Sequence, residues 1–158
     1  MKQTPKINIL LSTYNGEAYL TEQLDSLFQQ TFQNFTLYVR DDASSDQTVE
    51  LLHSYQKTHP ETASRIILLP NPEHKNLGYM GSFWVLLQKC GHADYYAFCD
   101  QDDVWLPDKL ESGICCLEKE NNSIPLLYFS NYHYCDQNLN VLHEAPTVSL
   151  PITFKDVL

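Results

Sequence analysis

Short apolar runs alternate along this chain with segments whose apolar residues recur every three or four positions. The first run, Ile7–Leu11, precedes a helical pattern of Leu20, Leu24 and Leu27 on one face. A second apolar run, also followed by a helical pattern, begins at Phe35, and further such pairs follow later in the chain. Strands joined through helices by short connections form a parallel sheet that is covered on both faces. The alternation therefore predicts an α/β fold with a doubly wound, mostly parallel sheet in three α/β/α layers.

The apolar patterns also predict where the elements lie. Strands are predicted at Lys6–Ser12, Phe35–Arg40, Arg65–Leu69, Tyr95–Cys99 and Leu126–Asn131, with one more short strand around Val141. Helices are predicted over 17–31, after Asp46, over 79–89 and over 107–119. Asp46 is the predicted N-cap of the second helix, because a carboxylate can accept from the free N–H groups of a first turn.

Three carboxylates follow the fourth predicted strand within four positions. Asp100, Asp102 and Asp103 come directly after Tyr95–Cys99, which is short, aromatic and almost free of polar groups. Charges this close repel one another, and a divalent cation that prefers oxygen ligands, Mg²⁺ or Mn²⁺, relieves the repulsion. The alternative is a solvated acidic loop that leads into an ordinary helix start at Pro107.

Polar residues also follow the first and second predicted strands, and they include Asp42, which alternatively caps the next helix. In doubly wound sheets, ligands bind outside the carboxyl ends of the strands, so these loops are expected to share one crevice. Neither a Gly-x-Gly-x-x-Gly nor a Gly-Lys-Ser/Thr phosphate loop occurs in the sequence. A diphosphate would then be held through a metal at Asp102, with Asp42 accepting from the N3–H of a pyrimidine.

The composition restricts the partners and the cellular location. With 158 residues the chain suits one domain, and its net charge of −10 leaves no basic stripe for nucleic acid. Its five cysteines are odd in number and lack CxxC pairs, which favours a reducing cytoplasm over disulfides or zinc. No apolar segment approaches the length of a transmembrane helix, and the run Ile7–Leu11 is too short for a signal peptide. We expect a cytoplasmic protein.

Four motifs occur in order at the ends of predicted strands. They are Ile9–Glu17, Val39–Asp46, Asn76–Gly78 and Asp100–Trp105. Together they resemble the family 2 glycosyltransferases of the GT-A fold, over residues 5–135. The Asp-Gln-Asp-Asp-Val-Trp form of the last motif is similar to bacterial rhamnosyltransferase-like members that build cell-wall or capsular polysaccharide.

The resemblance implies a role for each matching residue. The donor nucleotide would be bound by Thr13, Tyr14, Asn15, Glu17, Asp42, Asn76, Gly78 and Asp100. Asp102 would be the direct ligand of Mn²⁺ or Mg²⁺, with Asp100 and Asp103 as further candidates. Asp42 would recognise the pyrimidine.

The implied reaction transfers a sugar, rhamnose being one candidate, from a nucleoside-diphosphate sugar to a saccharide or lipid-linked saccharide acceptor, with inversion. In the family, the general base lies on a helix well after the metal motif, in a segment that also forms the acceptor site. The resemblance therefore predicts a base beyond Leu158 and a single donor-binding domain over residues 1–158 that lacks the acceptor part. The full-length parent would act in the cytoplasm, at the inner face of the membrane.

Two other interpretations are open. Asp100–Val104 also fits the Asp-x-Asp-x-Val motif of haloacid-dehalogenase-like phosphatases, in which Asp100 would attack phosphorus and Asp102 would act as acid and base. That interpretation leaves the polar residues after the first two strands unexplained. The second alternative is a non-catalytic domain that binds a nucleotide-sugar.

Overall fold

The computed structural model describes residues 4–121 and 123–146. In chain order, its elements are β1 (Ile7–Thr13), α1 (Leu20–Phe28), β2 (Phe35–Asp41), α2 (Thr48–Thr58), α3 (Pro60–Ala63), β3 (Ile66–Leu69), α4 (Gly78–Lys89), β4 (Tyr95–Cys99), α5 (Lys109–Leu117), β5 (His133–Cys135) and β6 (Val141–Glu144). The chain divides into two compact units, Met1–Ser112 and Gly113–Leu158.

The first unit is built on a four-stranded parallel sheet in the order β3-β2-β1-β4. β1 pairs with β2 on one side, where Ile9 lies opposite Leu37, and with β4 on the other, where Ile9 lies opposite Ala97. The strand order reverses at β1, since the next strand along the chain lies on one side and β4 on the other. This is the position at which such sheets form a ligand crevice. The predicted α/β fold with a mostly parallel sheet is confirmed.

Helices cover both faces of this sheet. With this strand order, the usual right-handed crossover puts α1 and α2 on one face and α4 on the other. The hydroxyl of Tyr55 in α2 donates to Asp25 of α1 at 2.8 Å. On the α4 face, Leu86 packs in a buried cluster with Leu10 and Tyr38. Because β1 is buried on both faces, its residues from Ile7 to Leu11 are apolar except at Asn8 and do not alternate with exposed polar residues.

Several predicted boundaries differ from the structure. The strand predicted at Leu126–Asn131 is wrong, because this segment has no regular secondary structure. Leu127 and Phe129 are exposed there, so an apolar composition did not indicate a buried strand. The first predicted helix is shorter than expected, and the helix predicted from Pro107 begins at Lys109. The short helix α3 was not predicted.

The second unit contains an antiparallel pair of short strands, β5 and β6, with His133 opposite Glu144. The strand predicted around Val141 is confirmed as β6. The rings of Tyr134 and His143 stack across the pair with centroids 4.3 Å apart. Over residues 4–121 and 123–146, no helix has the length and apolar content to cross a bilayer.

Candidate functional site

A cavity of about 380 Å³ opens in the first unit at the carboxyl ends of β1, β2 and β4. The start of α4 completes its wall. The lining residues are Ser12, Tyr14, Asp42, Asn76, Gly78, Tyr79, Asp100, Gln101 and Asp102. Six of the ten residues with predicted donor or metal roles are thus brought together.

The end of β1 presents alternate residues to the cavity. Ser12 and Tyr14 line it, and the Tyr14 side chain is 49% exposed, whereas Thr13 between them is fully buried. The Thr13 hydroxyl donates to Asp41 Oδ1 at 3.0 Å, which joins the ends of β1 and β2. This division follows from the period of two in a strand, in which neighbouring side chains point to opposite sides. Thr13 therefore bonds to the end of β2 beside the cavity and does not face the cavity itself.

Asn15 bonds to the loop after β2 instead of lining the cavity. Its N–H donates to Ser44 Oγ at 2.9 Å, and its side-chain oxygen accepts from the Ser45 N–H at 2.8 Å. Its φ of 49° lies in the left-handed region, which asparagine tolerates better than most residues. Asn15 thus sets the path of the loop after β1.

Glu17 and Gly16 make further bonds to the loop after β2. The Glu17 N–H donates to Asp46 Oδ2 at 3.1 Å, and Glu17 Oε2 accepts from the Gln47 N–H at 2.9 Å. The Gly16 N–H donates to the Thr48 hydroxyl at 2.8 Å. Asp46 was predicted as the N-cap, but α2 begins at Thr48, and Asp46 accepts from its N–H at 3.0 Å. These bonds fix the two loops to each other.

Asp42 lies against the cavity as part of a buried ion pair. Its side chain pairs with Arg40, and each of the two side chains is only 3% exposed. The Leu77 N–H donates to both carboxylate oxygens of Asp42, at 2.8 and 3.0 Å. Arg40 also donates to Ser82 Oγ at 3.1 Å, and the Ser12 hydroxyl donates to the same oxygen at 2.7 Å. The network holds the Asp42 carboxylate rigidly at the cavity wall.

Asn76 and Gly78 shape the entrance to α4. Asn76 Oδ1 accepts from the Gly78 N–H at 2.9 Å, and Gly78 has a φ of 70°. That conformation favours glycine, while no atom lies within 4 Å of the position that a β-carbon would take. Tyr79 follows and presents a largely exposed ring to the cavity.

The acids after β4 carry no hydrogen bonds from the rest of the described chain to their carboxylates. Burial against the protein raises the pKa of Asp100, and the charge of Asp102 raises it further. Burial also raises the pKa of Asp103, as do the charges of Asp100 and Asp102, while Lys109 acts in the opposite direction. The predicted repulsion is therefore present. Asp103 does not line the cavity.

The described residues do not by themselves form a complete metal site. No group of three or more His, Cys, Asp or Glu side chains within them is arranged to hold an ion. The carboxylates of Asp100 and Asp102 nevertheless supply the oxygen donors that Mg²⁺ and Mn²⁺ prefer. Further ligands would have to come from water or from a bound ligand.

Four residues of this region escaped the sequence prediction. Ser12, Tyr79 and Gln101 line the cavity, and Arg40 holds Asp42. Gln101 stands within the acidic motif, so its position was a usable signal. A lone arginine at a strand end gave no comparable signal, because its burial depends on the loop that leads into α4.

Comparisons with known proteins agree with this fold. A family model described as glycosyl transferase family 2 matches residues 8–152. The chain is 34% identical over 113 residues to the dTDP-rhamnosyl transferase RfbG of Shigella flexneri, covering 70% of this chain and 38% of that protein. It is 33% identical over 132 residues to the UDP-Glc:alpha-D-GlcNAc-diphosphoundecaprenol beta-1,3-glucosyltransferase WfgD of Escherichia coli, covering 84% and 47% respectively.

The fold is also similar to a solved structure. The crystal structure of S. aureus TarS 1-349 superposes with a TM-score of 0.61 at 26% identity, over 72% of this chain and 32% of that one. This chain thus spans less than half the length of RfbG, WfgD and the TarS fragment.

Proposed function

Because the chain belongs to glycosyl transferase family 2, we propose that its cavity binds a nucleoside-diphosphate sugar. We further propose that the protein transfers this sugar to a saccharide or lipid-linked saccharide acceptor in cell-wall or capsular polysaccharide synthesis. The observation that carries the proposal is the convergence of three strand ends on one cavity, where the carboxylates of Asp100 and Asp102 accept no hydrogen bond from residues 4–121 and 123–146. Rhamnose is a candidate sugar, since RfbG is named as a dTDP-rhamnosyl transferase.

The nucleoside would lie between Tyr14 and Asp42. Tyr14 offers an exposed ring for the base, and the fixed carboxylate of Asp42 offers an acceptor for the N3–H of a pyrimidine. Uracil and thymine both carry this N–H, and the named donors of the two curated relatives are UDP and dTDP sugars. The roles predicted for Thr13, Asn15 and Glu17 would then be indirect, through the loop that presents Tyr14.

The diphosphate would lie toward Asp100 and Asp102, with Asn76 and Gly78 near the diphosphate or the sugar. Asp102 is proposed as the direct ligand of Mn²⁺ or Mg²⁺, and Asp100 as a group near the ribose and the sugar, while Asp103 stays a further candidate ligand. A cation at this position would complete its coordination with phosphate oxygens and stabilise the diphosphate as the leaving group. This fits the incomplete set of protein ligands.

The acceptor hydroxyl would attack the anomeric carbon in line with the departing diphosphate, which inverts that carbon. We assign no general base within residues 1–158. That these residues form one donor-binding domain stays a prediction, and so does the cytoplasmic location. Family membership gives no support to the phosphatase interpretation of Asp100 and Asp102.

Calorimetric titration of this chain with nucleoside diphosphates tests the proposal. UDP and dTDP are expected to bind in the presence of Mn²⁺ and to bind roughly tenfold or more weakly when EDTA removes it. ADP and GDP serve as purine controls and should bind more weakly than either pyrimidine. Equal affinity with and without Mn²⁺, or no preference for pyrimidines, would contradict the proposed arrangement.

A further inference from the structure

Gln101 bridges the loops after β1 and β4 with both atoms of its amide. The Tyr14 N–H donates to Gln101 Oε1 at 2.7 Å, and Gln101 Nε2 donates to the Tyr14 carbonyl oxygen at 2.8 Å. Both distances are those of good hydrogen bonds, and the pair satisfies the donor and the acceptor of one peptide residue together. The Gln101 amide thus pairs with the backbone of Tyr14 in the way that a neighbouring strand would.

The bridge is the only hydrogen-bonded link between these two loops within the described residues. The loops after β1 and β2, in contrast, are joined by several bonds, from Asn15, Gly16 and Glu17. The pairing of β1 with β4 ends at Leu11 and Cys99, and beyond it the Gln101 side chain sets the position of Tyr14 relative to Asp100 and Asp102.

Gly16 leaves the space that this amide occupies. A β-carbon at residue 16 would lie 2.3 Å from Gln101 Oε1 and 2.7 Å from Gln101 Cδ. Gly16 does not have a positive φ, so alanine would be unstrained in its backbone. The steric conflict is with the end of a flexible side chain, which alanine would displace from Tyr14. Glycine is needed at this position because of Gln101.

We propose that Gln101 is a positioning residue that fixes the distance between the base end and the diphosphate end of the donor site. This inference rests on the proposed function. Gln101 acts through Tyr14 on one side and through its chain neighbours Asp100 and Asp102 on the other. A ligand that spans both ends gains from the preset distance, whereas a ligand that touches one end does not.

Two variants separate this role from a general effect on folding. Gln101→Met keeps the length of the side chain and removes both hydrogen bonds, and Gly16→Ala keeps the glutamine but displaces its amide. Gln47→Met is the matched control, because it makes the same change in the loop after β2 at an exposed residue outside the cavity. Thermal unfolding of all three variants verifies that each is folded.

The binding test compares a whole ligand with its halves. Both variants should bind UDP with Mn²⁺ about ten- to a hundredfold more weakly than the unaltered chain. Their affinities for UMP without metal and for pyrophosphate with Mn²⁺ should change by less than about twofold, since each half contacts one side of the bridge. Unchanged UDP affinity, or equal losses for UDP and both halves, would overturn the inference.

Amide hydrogen exchange of the free protein supplies a measurement that needs no ligand. The Tyr14 N–H should exchange faster in both variants than in the unaltered chain or in Gln47→Met, because its acceptor has been removed. Unchanged protection would overturn the bridge itself. If protection falls as expected but the unaltered chain binds no nucleotide, the proposed function fails, and with it the positioning role, while the bridge between the loops stands.

Discussion

The aspartates after β2 and those after β4 are alike in the sequence and different in the structure. Asp41, Asp42 and Asp46 each accept hydrogen bonds from neighbouring side chains or N–H groups. The carboxylates of Asp100 and Asp102 receive none from the described residues. Carboxylates that already have partners hold the loops in place, and those without partners are available to a ligand.

This difference suits the proposed binding of a diphosphate by a protein with a net charge of −10. Asp41, Asp42 and Asp46 are bound by fixed hydrogen-bond donors, and these bonds keep the cavity wall rigid. Asp100 and Asp102 face a cavity where the described part of the chain supplies neither partners for their carboxylates nor a complete set of metal ligands. A cation that arrives with the nucleotide would satisfy the acids and the phosphates together.

The largest effect on stability is expected from Asp42→Ala. This change leaves the buried Arg40 guanidinium without its partner and should lower the free energy of unfolding by about 3–5 kcal/mol. Urea denaturation followed by circular dichroism measures it. In variant protein that stays folded, pyrimidine nucleotides should lose more affinity than purines. A loss of stability below about 1 kcal/mol would mean that the ion pair does not hold this loop.

Asp41→Ala tests the same group of acids with a smaller expected loss. Asp41 accepts from Thr13 Oγ1 at 3.0 Å and from the Ser44 N–H at 2.9 Å, so its removal leaves both donors without an acceptor. We expect unfolding to require about 2 kcal/mol less. Asp108→Ala is the control for lost charge, because Asp108 is exposed, lies outside the cavity and accepts one long hydrogen bond at its carboxylate, from the Ser112 hydroxyl at 3.3 Å. If the two substitutions lowered the free energy of unfolding equally, the hydrogen bonds of Asp41 would not be what holds this loop.

Ala43→Gly should give the smallest change, and in the opposite direction. Ala43 has a φ of 68°, a left-handed conformation that costs a residue with a β-carbon about 1 kcal/mol. Glycine relieves this strain, although it adds entropy to the unfolded chain. The free energy of unfolding should rise slightly, by up to about 1 kcal/mol, and the midpoint of urea denaturation should rise with it. A clear fall would show that this loop is not held in the left-handed conformation.

Most of the first unit could be predicted from the sequence, and for a clear reason. The β1 strand lies inside a parallel sheet, so burial on both faces produced a run that is apolar from Ile7 to Leu11 except at Asn8. Leu126–Asn131 has a similar composition but no regular secondary structure, because an apolar run does not specify a strand partner. The patterns therefore located the buried strands better than they located the segment after α5.

The site was predictable by position but not by the direction of each side chain. The sequence placed Thr13 and Tyr14 together at the end of β1, yet the two point to opposite sides. The sequence also could not distinguish Asp42, which has partners, from Asp102, whose carboxylate has none among residues 4–121 and 123–146. That distinction depends on Arg40 and on the Leu77 N–H, which reaches Asp42 from 35 positions away along the chain.

The most direct test of the proposed metal ligand is Mn²⁺-dependent binding of UDP and dTDP to the Asp102→Asn variant, measured by calorimetry beside Asp108→Asn. We expect Asp102→Asn to keep its stability within about 0.5 kcal/mol of the unaltered chain, because the Asp102 carboxylate accepts no hydrogen bond from the described residues. The same variant should lose the Mn²⁺-dependent part of nucleotide affinity, while Asp108→Asn retains it. Unchanged Mn²⁺-dependent affinity in Asp102→Asn would contradict the proposal that Asp102 is the direct metal ligand.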